Sequence, residues 1–243
     1  MGARVQSVVD YGTSGLVVMI ECHVSNNLPN IVIVGFGNRA VDESKERIRG
    51  AFSSSKLQLP RKRITINLAP ADIPKDSSSF DLAIAASILQ TSAVLERQLT
   101  DKDAIMGELG LDGSVRPVRG IIGKILAGRQ RGISTFYIPA GNLPQAQLIP
   151  GVTLVPVEKL QDLYQHLAHG FEITKIETGA GIHTKPAVPS AALSTEAFGL
   201  SDIIGQHLAK RALEIAAAGG HNILLNGPPG TGKSMLARAL PSL

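Results

Sequence analysis

Near its end the sequence reads NILLNGPPGTGKSMLARALPSL, with Gly227, Gly232, Lys233 and Ser234 at the spacing G-x-x-x-x-G-K-[ST]. That spacing suits phosphate chemistry. Glycines let the backbone turn its N–H groups inward onto phosphate oxygens. A helix starting at the lysine adds the positive end of its dipole. Lys233 is expected to reach the β- and γ-phosphates of ATP, and Ser234 to ligate Mg²⁺. The candidate binding stretch is Gly227, Pro228, Pro229, Gly230, Thr231, Gly232, Lys233, Ser234 and Met235, with Ser234 the metal ligand. A Gly/Pro turn carrying a surface lysine would show similar letters, but the flanks decide for the motif. NILLN reads as a buried strand and KSMLARAL as a helix, the order the motif needs. Hydrolysis asks for more, namely an acidic residue on a second strand and charge-stabilising arginines. Those should follow the loop, and only Met235 to Leu243 does. The sequence therefore reads as the incomplete front of an ATPase.

The elements that must position this loop follow from periodicity. LVVMIECHV, NIVIVGF, RITINLAP, STFYIP and VTLVPV are short, β-branched and bounded by Gly, Pro or Asn, as strands are. Between them AVDESKERIRGAFSSS sets Val41, Ile48 and Phe52 on one side of a helix. FDLAIAASILQTSAVL is apolar nearly all round and reads as a buried helix. RGIIGKILAGRQRG and EKLQDLYQHLAHG are amphipathic and end in glycine. Strands alternating with helices over residues 1–170 predict a first domain of α/β or α+β type. Residues 171–196, rich in Gly, Pro and small polar side chains, read as a linker. Residues 197–243 read as the start of a second module. There Ser201 or Asp202 is placed to cap a helix containing HLAKRALEIAAA.

The totals exclude several classes. Of 243 residues, 44% are hydrophobic and 18% charged, which fits a globular core rather than a disordered chain. The single cysteine, Cys22, cannot form an internal disulfide, so a reducing compartment is expected. The six histidines lack paired metal-ligand spacing, so no zinc site is expected. There is no signal peptide and no apolar run long enough to span a bilayer. The expectation is a cytoplasmic protein with no membrane partner.

Two longer patterns carry a family resemblance. LSDIIGQHLAKRALEIAAAGGHNILLNGPPGTGKSMLARALP resembles the start of the AAA+ module in magnesium-chelatase-like proteins of the YifB/ComM type. IVGFGNRAVDESKERIRGAF, RITINLAPADIPKDSSSFDLAIAASIL and GELGLDGSVRPVRG resemble the N-terminal part of the same family. The resemblance covers essentially the whole chain. It implies an α+β N-terminal domain with the Lon-protease-like, ribosomal-protein-like fold, followed by a truncated α/β P-loop AAA+ module. It further implies ATP and Mg²⁺ as cofactors, a homo-oligomeric, hexameric ring at full length, and DNA as the substrate of a helicase or branch-migration activity.

The Lon likeness also implies a catalytic pair. Lon-type proteases place their serine in a segment like P-K-D-G-P-S-A-G, and PKDSSSFDL puts Ser79 there. Their lysine follows a segment matched by GELGLDGSVRPVRGIIGK, which puts Lys124 there. Such a lysine acts as base when burial keeps it neutral. Phe80 and Asp81 replace the small residues that follow the Lon serine, and Asp81 near Lys124 would favour the protonated, inactive form. Ser78 or Ser79 could equally cap the buried helix, and Lys124 could be an ordinary helix lysine. Two alternatives to the ATPase therefore stand: a serine–lysine peptidase, and a binding module for DNA or a partner. For the latter, Arg39, Lys45, Arg47, Arg49, Lys56, Arg61, Lys62 and Arg63 form the most basic stretch. Asp42, Glu43 and Glu46 are interleaved with them, so a solvated face of weak ion pairs competes with phosphate binding.

Overall fold

A computed structural model describes residues 2–11, 14–35, 40–70, 78–92, 95–179, 199–228 and 230–243. The chain forms two compact units, Met1–Ile182 and His183–Leu243. The first begins with β1 (Gly2–Tyr11), β2 (Ser14–Ser25), β3 (Asn30–Val34), α1 (Ala40–Ser54), β4 (Arg63–Ala69) and α2 (Asp81–Ser92). It continues with β5 (Asp103–Ile105), β6 (Glu108–Leu109), β7 (Val115–Arg116), α3 (Ile121–Gln130) and β8 (Thr135–Pro139). It closes with α4 (Leu143–Ala146), β9 (Thr153–Val157), α5 (Leu160–Ala168) and β10 (Ile176–Glu177).

One mixed sheet runs β10-β9-β8-β5-β1-β2-β4-β3. Its pairings are parallel along β1-β5-β8-β9 and between β3 and β4, and antiparallel at β1-β2, β2-β4 and β9-β10. The period-two alternation of strands sorts the side chains into two cores. Val5, Val9, Ile20, Ile66 and Ile105 face a layer made by α1, α2 and α5. Val8, Ala104, Met106 and Phe136 face the opposite layer, where Ile121 and Ile125 of α3 pack. Burial of Asp81 through Leu89 on all sides of α2 explains why that stretch has no polar face. The fold is α+β, as the alternating pattern predicts.

The strand and helix expectations for the first unit correspond to β2, β3, β4, β8, β9, α1, α2, α3 and α5. The linker reading needs correction at its start. Ile176 and Glu177 pair with Leu154 and Thr153 of β9, and the Thr178 hydroxyl donates to Val152 O at 2.8 Å. This segment is tied to the sheet edge, so the first unit extends beyond residue 170. The rest of the proposed linker, from residue 180, lies outside the described residues.

The second unit contains α6 (His207–Gly219) and α7 (Lys233–Ala239), packed through Ile203, Leu213, Leu236 and Ala239. Two expectations fail here. NILLN pairs with no strand among the described residues. Ile223 and Leu225 pack toward the small core while Leu224 is 89% exposed. The alternation of a strand is present, but a strand needs a neighbour to take its N–H and C=O groups. Asp202 does act as a cap, accepting Gly199 N–H at 2.8 Å, but for a 3₁₀ turn at Leu200–Asp202. Helix α6 starts later, after Gly205 and Gln206 adopt left-handed backbone.

Candidate functional site

Gly230 and Gly232 hold φ of 84° and 79°, a region that penalises any side chain. They turn the chain so that α7 begins at Lys233. A Cβ placed on either glycine would meet nothing within 4 Å, so the loop is an open cradle. Lys233 folds back over it, donating from Nζ to Pro228 O at 2.6 Å, with Thr231 Oγ1 at 3.4 Å. Thr231 in turn donates its hydroxyl to Pro228 O at 3.0 Å. The loop thus gathers the lysine and threonine over its own Pro228 carbonyl. Ser234 and Met235 are exposed at the first turn of α7, and Pro229 lies outside the described residues.

Gln206 is a residue that spacing alone does not single out. Its side-chain amide donates to Thr231 O at 3.2 Å, bracing the phosphate loop from the segment ahead of α6. Beside the loop, Leu213, Ile223, Leu225 and Leu240 line an apolar cavity of about 370 Å³ that Lys233 and Ser234 border.

In the first unit Ser79 lies in a 3₁₀ turn, Ser78–Phe80, that leads into α2. Ser79 is 1% exposed and Lys124 2%. Ser79 O accepts Gly107 N–H at 2.9 Å, and Gly107 O accepts Leu82 N–H at 3.0 Å, which satisfies an orphan donor of the helix. The Ser78 hydroxyl donates to Glu108. Lys124 sits on α3, over the opposite face of the sheet from α2, and its Nζ donates to Arg119 O at 2.6 Å. It is buried, not a solvated helix lysine.

Asp81 acts elsewhere than the sequence suggests. Its carboxylate accepts Ser44 Oγ at 2.6 Å, Arg47 Nε at 2.6 Å and Leu109 N–H at 3.3 Å. Every partner is a donor, which suits an ionised carboxylate. The hydrogen bond to Asp81 pushes the Arg47 guanidinium up. Burial pushes the Asp81 carboxyl up too, against the pull of Arg47 and Ser44. Arg47 therefore leaves the list of open cations and becomes a clamp joining α1, α2 and β6. Arg49 is also engaged, with Glu46 at 2.7 Å. The Cys22 thiol is buried and pushed up by desolvation, so it is inert rather than reactive. Among the described residues no cluster of ligands could hold a metal, and no helix is long and apolar enough to cross a membrane.

Comparison with known proteins places these features. The family described as subunit ChlI of Mg-chelatase matches residues 20–142, and a second, magnesium chelatase, subunit ChlI, matches residues 199–243. The chain belongs to the magnesium-chelatase-like proteins of the YifB/ComM type. It is 41% identical over 241 residues to the competence protein ComM of Haemophilus influenzae, covering 99% of this chain and 46% of that one. It is 37% identical over 234 residues to YifB of Escherichia coli, covering 96% of this chain and 44% of the relative. The chain thus spans about half the length of the curated relatives it matches. It is also 30% identical over 161 residues to Lon protease 2 of Herpetosiphon aurantiacus, covering 61% of this chain and 20% of that one. The first unit is accordingly Lon-like, and the chain as a whole is a magnesium-chelatase-like AAA+ protein.

Proposed function

We propose that this chain is the front portion of an ATPase that binds ATP with Mg²⁺ at Gly227–Met235 and, at its natural length, remodels DNA as a homo-oligomeric ring. The observation that carries the reading is the open glycine cradle with Lys233 folded over it, in the stretch that matches the magnesium-chelatase family. ATP would supply a phosphoanhydride whose hydrolysis drives movement. The residues of this chain bind and orient it. Lys233 exchanges its bond to Pro228 O for phosphate oxygens, loop N–H groups take the remaining oxygens, and Ser234 offers its hydroxyl to Mg²⁺. Gln206 keeps Thr231 in register. DNA as substrate rests on the family and on the competence protein among its relatives.

The peptidase alternative is not favoured. Ser79 is 1% exposed, and Phe80 and Asp81 beside it are equally buried, which weighs against peptide access. The test is strand separation of a labelled DNA duplex by the protein at its natural length. ATP-dependent separation, absent with ADP, is expected. Binding and hydrolysis of ATP with no effect on any DNA substrate would remove DNA from the reading.

A further inference from the structure

Of the eight cations in the basic stretch, three end up together at one end of the sheet. Arg61, Lys62 and Arg63 are exposed where the chain enters β4, and Arg63 stands in register with Ser25 of β2 and Asn30 of β3. Among the described residues no carboxylate pairs with any of them. The reason lies in the sequence. The three segments that meet here contain no Asp or Glu: none occurs between Glu21 and Asp42, between Glu46 and Asp72, or between Asp81 and Glu96. The groove between them, about 960 Å³, is walled by Gln58, Arg61 and Lys62 on one side and by Thr91 and Ser92 on the other.

The cationic wall is anchored. Leu57 and Leu59 pack against the core behind it, Leu57 N–H bonds Phe52 O at 2.9 Å, and Pro60 fixes the backbone just ahead of Arg61. Thr91 and Ser92 spend their hydroxyl protons on Ser87 O at 2.8 Å and Ile88 O at 2.6 Å, at the C-terminal end of α2. That end carries partial negative charge, so an anion entering the groove would be drawn to the side of Arg61 and Lys62.

We infer that this groove holds the phosphodiester backbone of a nucleic acid. Consecutive, unpaired, anchored cations match a polyanion better than a single phosphate. Among the described residues the pocket has no aromatic side chain on which a base could stack, so contact is independent of sequence. A bilayer surface fits less well, because the wall is a concave cleft with few apolar side chains to insert. The choice of nucleic acid rests on the DNA reading above, but the groove is tested on its own, in the 243-residue chain.

The probe is a fluorescein-labelled oligothymidylate, titrated across a salt series with the wild-type chain and with Arg61→Ala, Lys62→Ala and Arg63→Ala combined. Because all three side chains are exposed, the thermal midpoint should hold. The variant should lose at least tenfold in affinity at low salt, and the slope of log K against log salt should flatten by about 2, roughly 0.7 per lost contact on a single strand. A charge-matched control combines Lys102→Ala, Arg119→Ala and Arg131→Ala, and it should bind nearly as the wild type does. Equal losses in both variants would overturn the groove in favour of net charge. So would an unaffected groove variant, or a wild-type chain that fails to bind oligothymidylate. Binding to vesicles containing phosphatidylserine but not to the oligonucleotide would reassign the surface to lipid. In each case the strand-separation experiment still decides the DNA reading separately.

Discussion

The most consequential single residue in the first unit is Asp81, since it sits 1% exposed with Arg47 as its only described cationic partner. Removing one member of such a pair leaves a desolvated charge behind, which costs far more than the pair contributes. Arg47→Met should destabilise the first unit by about 3 kcal/mol, read as a shift in the urea midpoint. Adding Asp81→Leu should recover most of that loss, and an equal or larger loss in the double variant would show that the carboxylate is not the cause. His166 offers a second test. Its Nδ1 faces both Phe171 O at 2.9 Å and Ile173 N–H at 3.2 Å, and its Nε2 lies 3.5 Å from Arg97 Nη1. Burial holds its pKa below the ordinary histidine value, and Arg97 and Lys175 push the same way. The folded state therefore binds this proton less tightly than the unfolded chain does. Stability is full above about pH 6.5 and falls as pH drops through that value toward the lower folded pKa. Denaturation midpoints of the wild type should decline over that window, and His166→Gln should flatten the decline.

At the scale of elements, much was legible because period and flanks agreed. The apolar run of α2, the amphipathic α5, the β-branched β2, β4 and β9 and the aromatic β8 each declare themselves by pattern. What was not legible depends on partners distant in sequence. The three-residue β5 and the two-residue β6, β7 and β10 are strands only because a neighbour lies alongside, as β10 does on β9. NILLN shows the converse, a strand pattern with no neighbour to pair with among the described residues. Its Leu224, together with Ile204 at 98% and Leu208 at 87% exposure, leaves apolar surface in water. Backbone amides of residues 222–227 should therefore exchange within seconds to minutes in the 243-residue chain, while those of α2 stay protected. Strong protection of NILLN in the isolated chain would contradict this.

For the whole molecule, the chain joins a Lon-like unit to a second unit whose residues 199–243 match the magnesium-chelatase family. The G-x-x-x-x-G-K-[ST] spacing was legible in the sequence, and the folded loop holds Gly230 and Gly232 at positive φ and starts α7 at Lys233, whereas the strand expected just before it is not formed among the described residues. The Ser79–Lys124 pair was readable only as a likeness; folding places Ser79 in the turn ahead of α2 and Lys124 on α3, both buried. The basic stretch was readable as charge but not as a site. Only folding shows that Arg47 is spent inward while Arg61, Lys62 and Arg63 stay open. The central claim, that Gly227–Met235 binds ATP, is tested most directly by calorimetric titration of ATP with Mg²⁺ into the protein at its natural length, wild type and Lys233→Ala. The account predicts a saturable heat for the wild type and at least a tenfold weaker, or absent, signal for the variant, with unchanged far-ultraviolet circular dichroism. Equal binding by both proteins, or no binding by either, would contradict it.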